Sequence, residues 1–300
     1  MTHRFALLIA AAFAVAAHGA AHAQSATPIP AAIGADPAPD AQFPARLETL
    51  HIPTGGVKIN GVAYIAAGPG PHPTFVLMHG LPGIEKNLDL AQAVRRAGWN
   101  VVTFNYRGSW GSPGTYSFAQ NLQDADAVLA FLRDPANAKA LNVDPNRIAL
   151  GGHSMGGWVA VETTAHDKGL LGTVIISAGD LGNAGVGAKI VRPQIVAFME
   201  SNREALAGVT GETMTDELAA HGAEWTFATA APKLTRSRLL VLYGDDFVTA
   251  DSVKLLAAIK AAGGTMALSA HVPTDHSWSD HRIALEALVI NWLNSLPPRP

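Results

Sequence analysis

Six short apolar runs, at residues 74–78, 100–105, 147–150, 173–177, 238–243 and 265–271, alternate with helix-like stretches near 88–97, 119–132, 156–165 and 252–262. This alternation is the tightest constraint the chain carries. Apolar runs of this length read as strands buried on both faces, and a strand followed each time by a helix rejoins its sheet as a parallel neighbour. The fold expected is therefore α/β, with a mostly parallel central sheet and helices on both faces. Asp251 is placed to cap the 252–262 helix and Gly263 to stop it. A closing helix is expected over 280–296, with Ile283, Ala287 and Ile290 on one face and Pro297 just past its end. Ahead of the alternation, segments 48–52 and 57–66 are joined by Thr54-Gly55-Gly56 and read as an opening hairpin.

One stretch breaks the pattern. Between 180 and 237 the sequence has helical character but no strand, clearest at 194–206 and 213–221, the second opening with Thr213 and Asp216 at capping spacing. Insertions of this length at a sheet edge usually serve as lids or binding elements, so 180–237 is expected to form a helical cap. Its Phe198, Met199, Trp225 and Phe227 are candidates for an apolar wall.

Of 300 residues, 48% are hydrophobic and 15% charged, a balance that supports a sizeable core and excludes a disordered chain. The formal net charge of −3, with lysines and arginines scattered, argues against a nucleic-acid surface. At the start, Arg4 is followed by an uncharged, mostly apolar stretch from Phe5 to Ala17 and then Ala21-His22-Ala23 before Gln24. This is the layout of a cleaved secretory signal over 1–23 and falls short of a stable membrane anchor. Residues 24–46, rich in Pro and Ala, read as a flexible leader, and 47–300 as the folded domain. The absence of cysteine excludes disulfides, a thiolate nucleophile and a thiolate metal site. The expected location is the periplasm or outside the cell.

The run at 147–150 leads into Gly151-Gly152-His153-Ser154-Met155-Gly156. A nucleophile on a sharp strand-to-helix turn needs a strained backbone, and neighbours without side chains keep strand and helix from colliding. Gly152 and Gly156 supply that clearance, and the helix that follows aims its amide-rich N-terminus at the Ser154 hydroxyl. No other serine in the chain has glycines at both −2 and +2. A hydroxyl is a poor nucleophile at neutral pH, so Ser154 requires a base and a group to orient that base.

Four stretches together resemble the α/β-hydrolase superfamily, from about Leu47 to the C-terminus. They are His-Gly-Leu-Pro-Gly at 79–83, Asn-Tyr-Arg-Gly-Ser-Trp-Gly-Ser at 105–112, Gly-His-Ser-Met-Gly at 152–156 and Asp-His at 275–276. The second is similar to the superfamily's Asp-x-Arg-Gly-x-Gly-x-Ser loop, with Asn105 where aspartate is common, and is read as structural. The resemblance implies the α/β-hydrolase fold, Ser154 as nucleophile, and an acid and then a histidine later in the chain. The acid falls after the run at 238–243, where Asp246 is favoured over Asp245, although many members place it about three residues past the strand's glycine and Asp246 follows Gly244 by two. The histidine falls on the loop after the last strand, where His276 is favoured over His271 and His281. The oxyanion hole is assigned to the Met155 and Leu81 N–H groups.

The 79–83 turn is also similar to that of epoxide hydrolases and dehalogenases, but their nucleophile is an aspartate, and Ser154 disfavours those chemistries. His271, Asp275, His276, Asp280 and His281 follow no metal-ligand spacing, so neither a metal nor another cofactor is expected. The function expected is an exported serine hydrolase cleaving small-molecule carboxylic esters. The alternative is a serine peptidase of the prolyl-oligopeptidase-like kind, suggested by the hairpin lead-in and the export signal. A non-catalytic binding protein on this scaffold stands third, since no triad member is missing. The sequence does not bear on oligomeric state.

Overall fold

The structure, a computed structural model, describes residues 28–297; the expected signal segment at 1–23 lies outside them. β1 (Arg46–Thr54) and β2 (Val57–Ile65) form the expected hairpin. Its two-residue turn places Gly55 and Gly56 at φ of +52° and +82°, the left-handed pair that a type I′ turn requires. The six apolar runs become β3 (His72–Met78), β4 (Asn100–Phe104), β5 (Val143–His153), β6 (Thr173–Ile176), β7 (Leu239–Tyr243) and β8 (Ala267–His271). All eight strands join one sheet in the order β1-β2-β4-β3-β5-β6-β7-β8. β2 pairs antiparallel with β1 and β4, and every other pairing is parallel.

The order reverses at β3, which has β4 on one side and β5 on the other. The chain leaving β3 and the chain leaving β5 therefore diverge over opposite halves of the sheet, and a crevice opens beyond the carboxyl ends of these two strands. Period-two alternation in the strands feeds two cores. Val76, Met78, Leu239 and Val241 face one side, covered by α3 (Phe118–Arg133), α5 (Met155–His166) and α9 (Thr249–Ala261). Phe75, Leu77, Leu240 and Leu242 face the other, under α2 (Leu88–Arg96) and α10 (Arg282–Ser295). Each such buried apolar side chain contributes about 1.5–3 kcal/mol relative to exposure, so both layers are held by the sheet they share.

Three short helices lack the length for periodicity to reveal them: α1 (Ala31–Gly34), α4 (Pro135–Ala140) and α8 (Phe227–Ala230). Part of the stretch read as a leader lies on the body. Arg96 on α2 donates from Nη2 to Ile33 O at 3.0 Å, and Asn291 on α10 donates to Pro28 O at 2.7 Å. Among the described residues no helix is long and apolar enough to cross a membrane.

The insertion between β6 and β7 is helical, with boundaries that differ from expectation. The helix expected at 194–206 is the second half of α6 (Leu181–Glu200); it begins earlier, and 201–206 are turns. Asp180 starts α6 by accepting the Asn183 N–H at 2.9 Å. Glycines hide this first half from a propensity reading, because each costs about 1 kcal/mol against alanine in a helix. Packing requires them: a Cβ at Gly182 would lie 2.2 Å from Thr226 N, and one at Gly185 would lie 2.0 Å from Leu218 O. Pro193 bends the helix, with Val191 at φ −118°, ψ +37°.

α7 (Gly211–His221) opens ahead of the expected Thr213 and Asp216 pair. Thr210 is the cap and closes a reciprocal box with Thr213, the two N–H···Oγ1 bonds measuring 3.2 and 2.9 Å. Asp251 does not cap α9; Val248 holds that position, and the Asp251 carboxylate accepts the Asp180 N–H at 3.0 Å. Asp180 Oδ2 in turn accepts the Phe227 N–H at 3.1 Å, so one carboxylate ties the start of α6 to the start of α8.

Candidate active site

Ser154 stands alone between the last residue of β5 and the first of α5, at φ +57°, ψ −120°, a conformation that a side-chain-bearing residue holds only under constraint. The constraint is visible. Its N–H donates to Ile176 O at 2.9 Å, and its own carbonyl accepts from Gly157 and Trp158 at 3.0 and 3.3 Å. Around it the glycines work as expected: a Cβ at Gly152 would lie 2.0 Å from Gly156 O, and one at Gly156 would lie 2.4 Å from Met78 O. The elbow is therefore wedged between α5 and the end of β3. The Met155 N–H opens α5 and, as the first donor of a helix, lacks an intrahelical acceptor.

The 79–83 turn presses on the same point. A Cβ at Gly80 would stand 2.9 Å from Ser154 Cβ and 3.4 Å from its Oγ, which puts the turn carrying Leu81 against the hydroxyl. Inside the turn, His79 donates from Nδ1 to Gly80 O at 2.8 Å, and Gly83 takes φ +93° where any side chain would strike the His79 ring. Burial pushes His79 down to about 4, so it is neutral and serves the turn's shape. The 105–112 loop is structural, as expected. Arg107 is buried against Asp124 at 2.7 Å, and that carboxylate also accepts from the Arg107 N–H and the Thr54 hydroxyl at 2.8 Å each. Asn105 accepts from Lys86 Nζ at 2.9 Å.

Of the alternatives for acid and histidine, Asp246 and His276 meet. Asp246 Oδ2 lies 2.8 Å from His276 Nδ1, with the two side chains 3% and 23% exposed. Burial works to raise the carboxyl, but the hydrogen bond and charge of His276, with the Val248 N–H and Ser177, outweigh it and hold Asp246 down to about 2. An ionised carboxylate can only accept, so His276 Nδ1 carries the proton and Nε2 of the neutral ring keeps its lone pair. Asp245 turns outward and pairs with His271 at 2.7 Å on the surface. His281 sits beside Asp280 ahead of α10. Of the five residues weighed as metal ligands, His271 and His276 go to different carboxylates, Asp280 pairs with His281, and Asp275 accepts the Ser279 N–H at 2.8 Å; among the described residues no group of three is gathered for a metal.

His153 was not singled out by sequence reasoning, yet it joins the elbow to the histidine loop. Its Nε2 donates to His276 O at 2.8 Å, and the two rings lie 4.8 Å apart. Burial, with the neighbouring His276 second, pushes it down to about 4. Ser177 and Trp278 were missed as well: Trp278 Nε1 donates to Ser177 Oγ at 3.1 Å beneath the Asp246 carboxylate. On the outer side Phe247 covers His276, their ring centroids 4.6 Å apart. Of the four residues expected to form an apolar wall, only Phe198 is exposed near the site, 6.3 Å from Phe247; Met199, Trp225 and Phe227 are in the core. No local pattern distinguishes a core aromatic in the cap from a lining one.

The model of the Alpha/beta hydrolase family matches residues 75–288, more than half of the chain. An uncharacterized protein of Mycobacterium tuberculosis is 32% identical over 130 residues, 42% of this chain, and the match spans 44% of that relative. Among solved structures, the carboxylesterase EstE1, cloned from a metagenomic library, superposes with a TM-score of 0.64 at 22% identity over 86% of this chain and 92% of its own. The acylaminoacyl peptidase of Pyrococcus horikoshii superposes at 0.62 with 15% identity, over 86% of this chain and 42% of that one. At such identities the two likenesses speak to the fold. Family match, sheet order and the strained serine elbow agree: the chain belongs to the alpha/beta hydrolase family.

Proposed function

We propose that this hydrolase cleaves carboxylic esters through Ser154, His276 and Asp246, by way of an acyl-enzyme. The observation that carries the reading is the Asp246–His276 bond, which leaves the Nε2 lone pair as a base while His153 draws the histidine loop onto the elbow. His276 Nε2 takes the Ser154 proton as Oγ attacks the carbonyl carbon. The oxyanion is held by the Met155 and Leu81 N–H groups. His276 then returns the proton to the leaving alcohol as its C–O bond breaks, and water repeats the sequence to free the acid and Ser154.

Ser154→Ala is expected to lower kcat on p-nitrophenyl acetate by at least about a thousandfold, and a fluorophosphonate probe is expected to label the wild type at Ser154. Wild-type turnover in that variant rejects the reading. Absence of labelling points instead to a binding protein on this scaffold. A second reading, amide hydrolysis, draws on the likeness to the acylaminoacyl peptidase. Parallel assays with a short acyl ester and an aminoacyl amide decide between them. From residues 1–23 alone, we also place the mature enzyme in the periplasm or outside the cell. N-terminal sequencing of the exported form tests this, with Gln24 the expected first residue.

A further inference from the structure

We infer that Phe247 and Phe198 form the alcohol-side subsite of this enzyme and select esters whose leaving alcohol carries a ring or a bulky apolar group. The inference rests on the Ser154, His276 and Asp246 reading above. Phe247 directly follows the acid in sequence and comes from the loop between β7 and α9, whereas Phe198 comes from the second half of α6 in the cap. Their rings meet edge to face at 61°, and they remain 70% and 46% exposed. Phenyl rings normally bury their area in a core or an interface. These two present theirs to solvent, Phe247 against the imidazole and Phe198 against Phe247.

The position of His276 says which part of a substrate they touch. One side of its ring is taken by His153 at 4.8 Å and another by Phe247 at 4.6 Å, tilted by 47° and 39° respectively. To be protonated, the leaving oxygen must come within about 2.6–3.2 Å of Nε2. The carbon skeleton bonded to that oxygen then lies within a few ångströms of whatever packs on the imidazole. The acyl chain occupies a different vertex of the tetrahedral carbon, away from the leaving oxygen. Phe247 therefore meets the alcohol portion, and Phe198 extends the same apolar surface toward the cap.

The test is a ratio of kcat/KM values within two matched series: benzyl acetate against methyl acetate, and methyl phenylacetate against methyl acetate. The wild type is expected to prefer benzyl over methyl acetate. Phe247→Ala and Phe198→Ala are each expected to lower that preference by about tenfold, mainly through KM, as loss of one aromatic wall does. Phe247→Tyr, which keeps the ring, is expected to retain it. The acyl-series ratio is expected to change by less than about twofold, since the acyl group lies elsewhere. A wild type without the benzyl preference overturns the subsite, as does a fall in the acyl ratio equal to that in the alcohol ratio. An unchanged benzyl ratio in both alanine variants, with Ser154 still labelled by a fluorophosphonate, overturns the subsite and leaves the triad standing. Ester turnover that survives Ser154→Ala overturns the triad and the subsite with it.

Discussion

Replacing Asp246 with asparagine separates the charge of the Asp–His pair from its shape. Oδ1 of Asp246 accepts from the Val248 N–H at 3.0 Å, while Oδ2 faces His276 Nδ1 at 2.8 Å. The Val248 donor keeps the asparagine carbonyl oxygen on its side, so the NH2 turns toward His276. An amide N–H aimed at Nδ1 makes that nitrogen the acceptor and moves the ring proton to Nε2, where the base must be. The lost base and the lost stabilisation of the imidazolium together cost about 1,000- to 10,000-fold in kcat, roughly 4–5.5 kcal/mol of barrier. The assay is steady-state hydrolysis of p-nitrophenyl acetate at neutral pH, with thermal unfolding to show that the variant is native. A folded Asp246→Asn enzyme within tenfold of the wild type would falsify the claim that this contact sets the tautomer.

Two further outcomes follow from the same geometry. An alanine at Gly152 would put its Cβ 2.0 Å from Gly156 O and 2.2 Å from the Gly156 carbonyl carbon, main-chain atoms that no rotamer change can move. Gly152→Ala is expected to cost about 3 kcal/mol or more and to lower Tm by on the order of 5–10 °C in calorimetry; a Tm within a degree of wild type contradicts the packing argument. His79 and His153, each pushed down by burial to about 4 from an ordinary value of 6.5, bind fewer protons folded than unfolded between those values. Their contribution is complete above about 6.5 and is lost as pH falls through about 4, each worth up to about 3 kcal/mol. Urea unfolding at pH 7.5 and 4.5 reads the loss, which His153→Gln is expected to reduce; a stability independent of pH across this range rejects it.

The middle of the sheet, β3 to β7, was legible because those strands are apolar on both faces, and that signal is carried by each run on its own; β8, which the same reading takes as buried, lies at the edge with no residue fully buried. Ser154 was legible for a similar reason: the glycines that relieve its turn are its neighbours in sequence. Asp246 and His276 could only be narrowed to small groups, since the choice depends on which carboxylate of two adjacent ones turns inward. The structure turns Asp245 out to His271. The first half of α6 was hidden because its glycines answer to the main chain of Leu218 and Thr226, a cause that propensity does not see. His153 lay in plain sight between Gly152 and Ser154, but its partner is 123 residues away and the pairing exists only once the histidine loop has folded back.

Asp180 gives the molecule a latch. The arm carrying α6 and α7 leaves the sheet there and returns at Phe227, and both ends are fastened to the same residue, itself moored to α9 through Asp251. What lies between is bound to the floor along its length: Met199, Met214, Leu218 and Trp225 are buried in one core with α5, Trp225 O accepts the indole N–H of Trp158 one turn past Ser154 at 3.0 Å, and Glu217 accepts the Phe118 and Ala119 N–H groups that open α3. A change to the inner face of the arm is therefore felt at the serine elbow. Only its outward face, where Phe198 stands, is free to diverge.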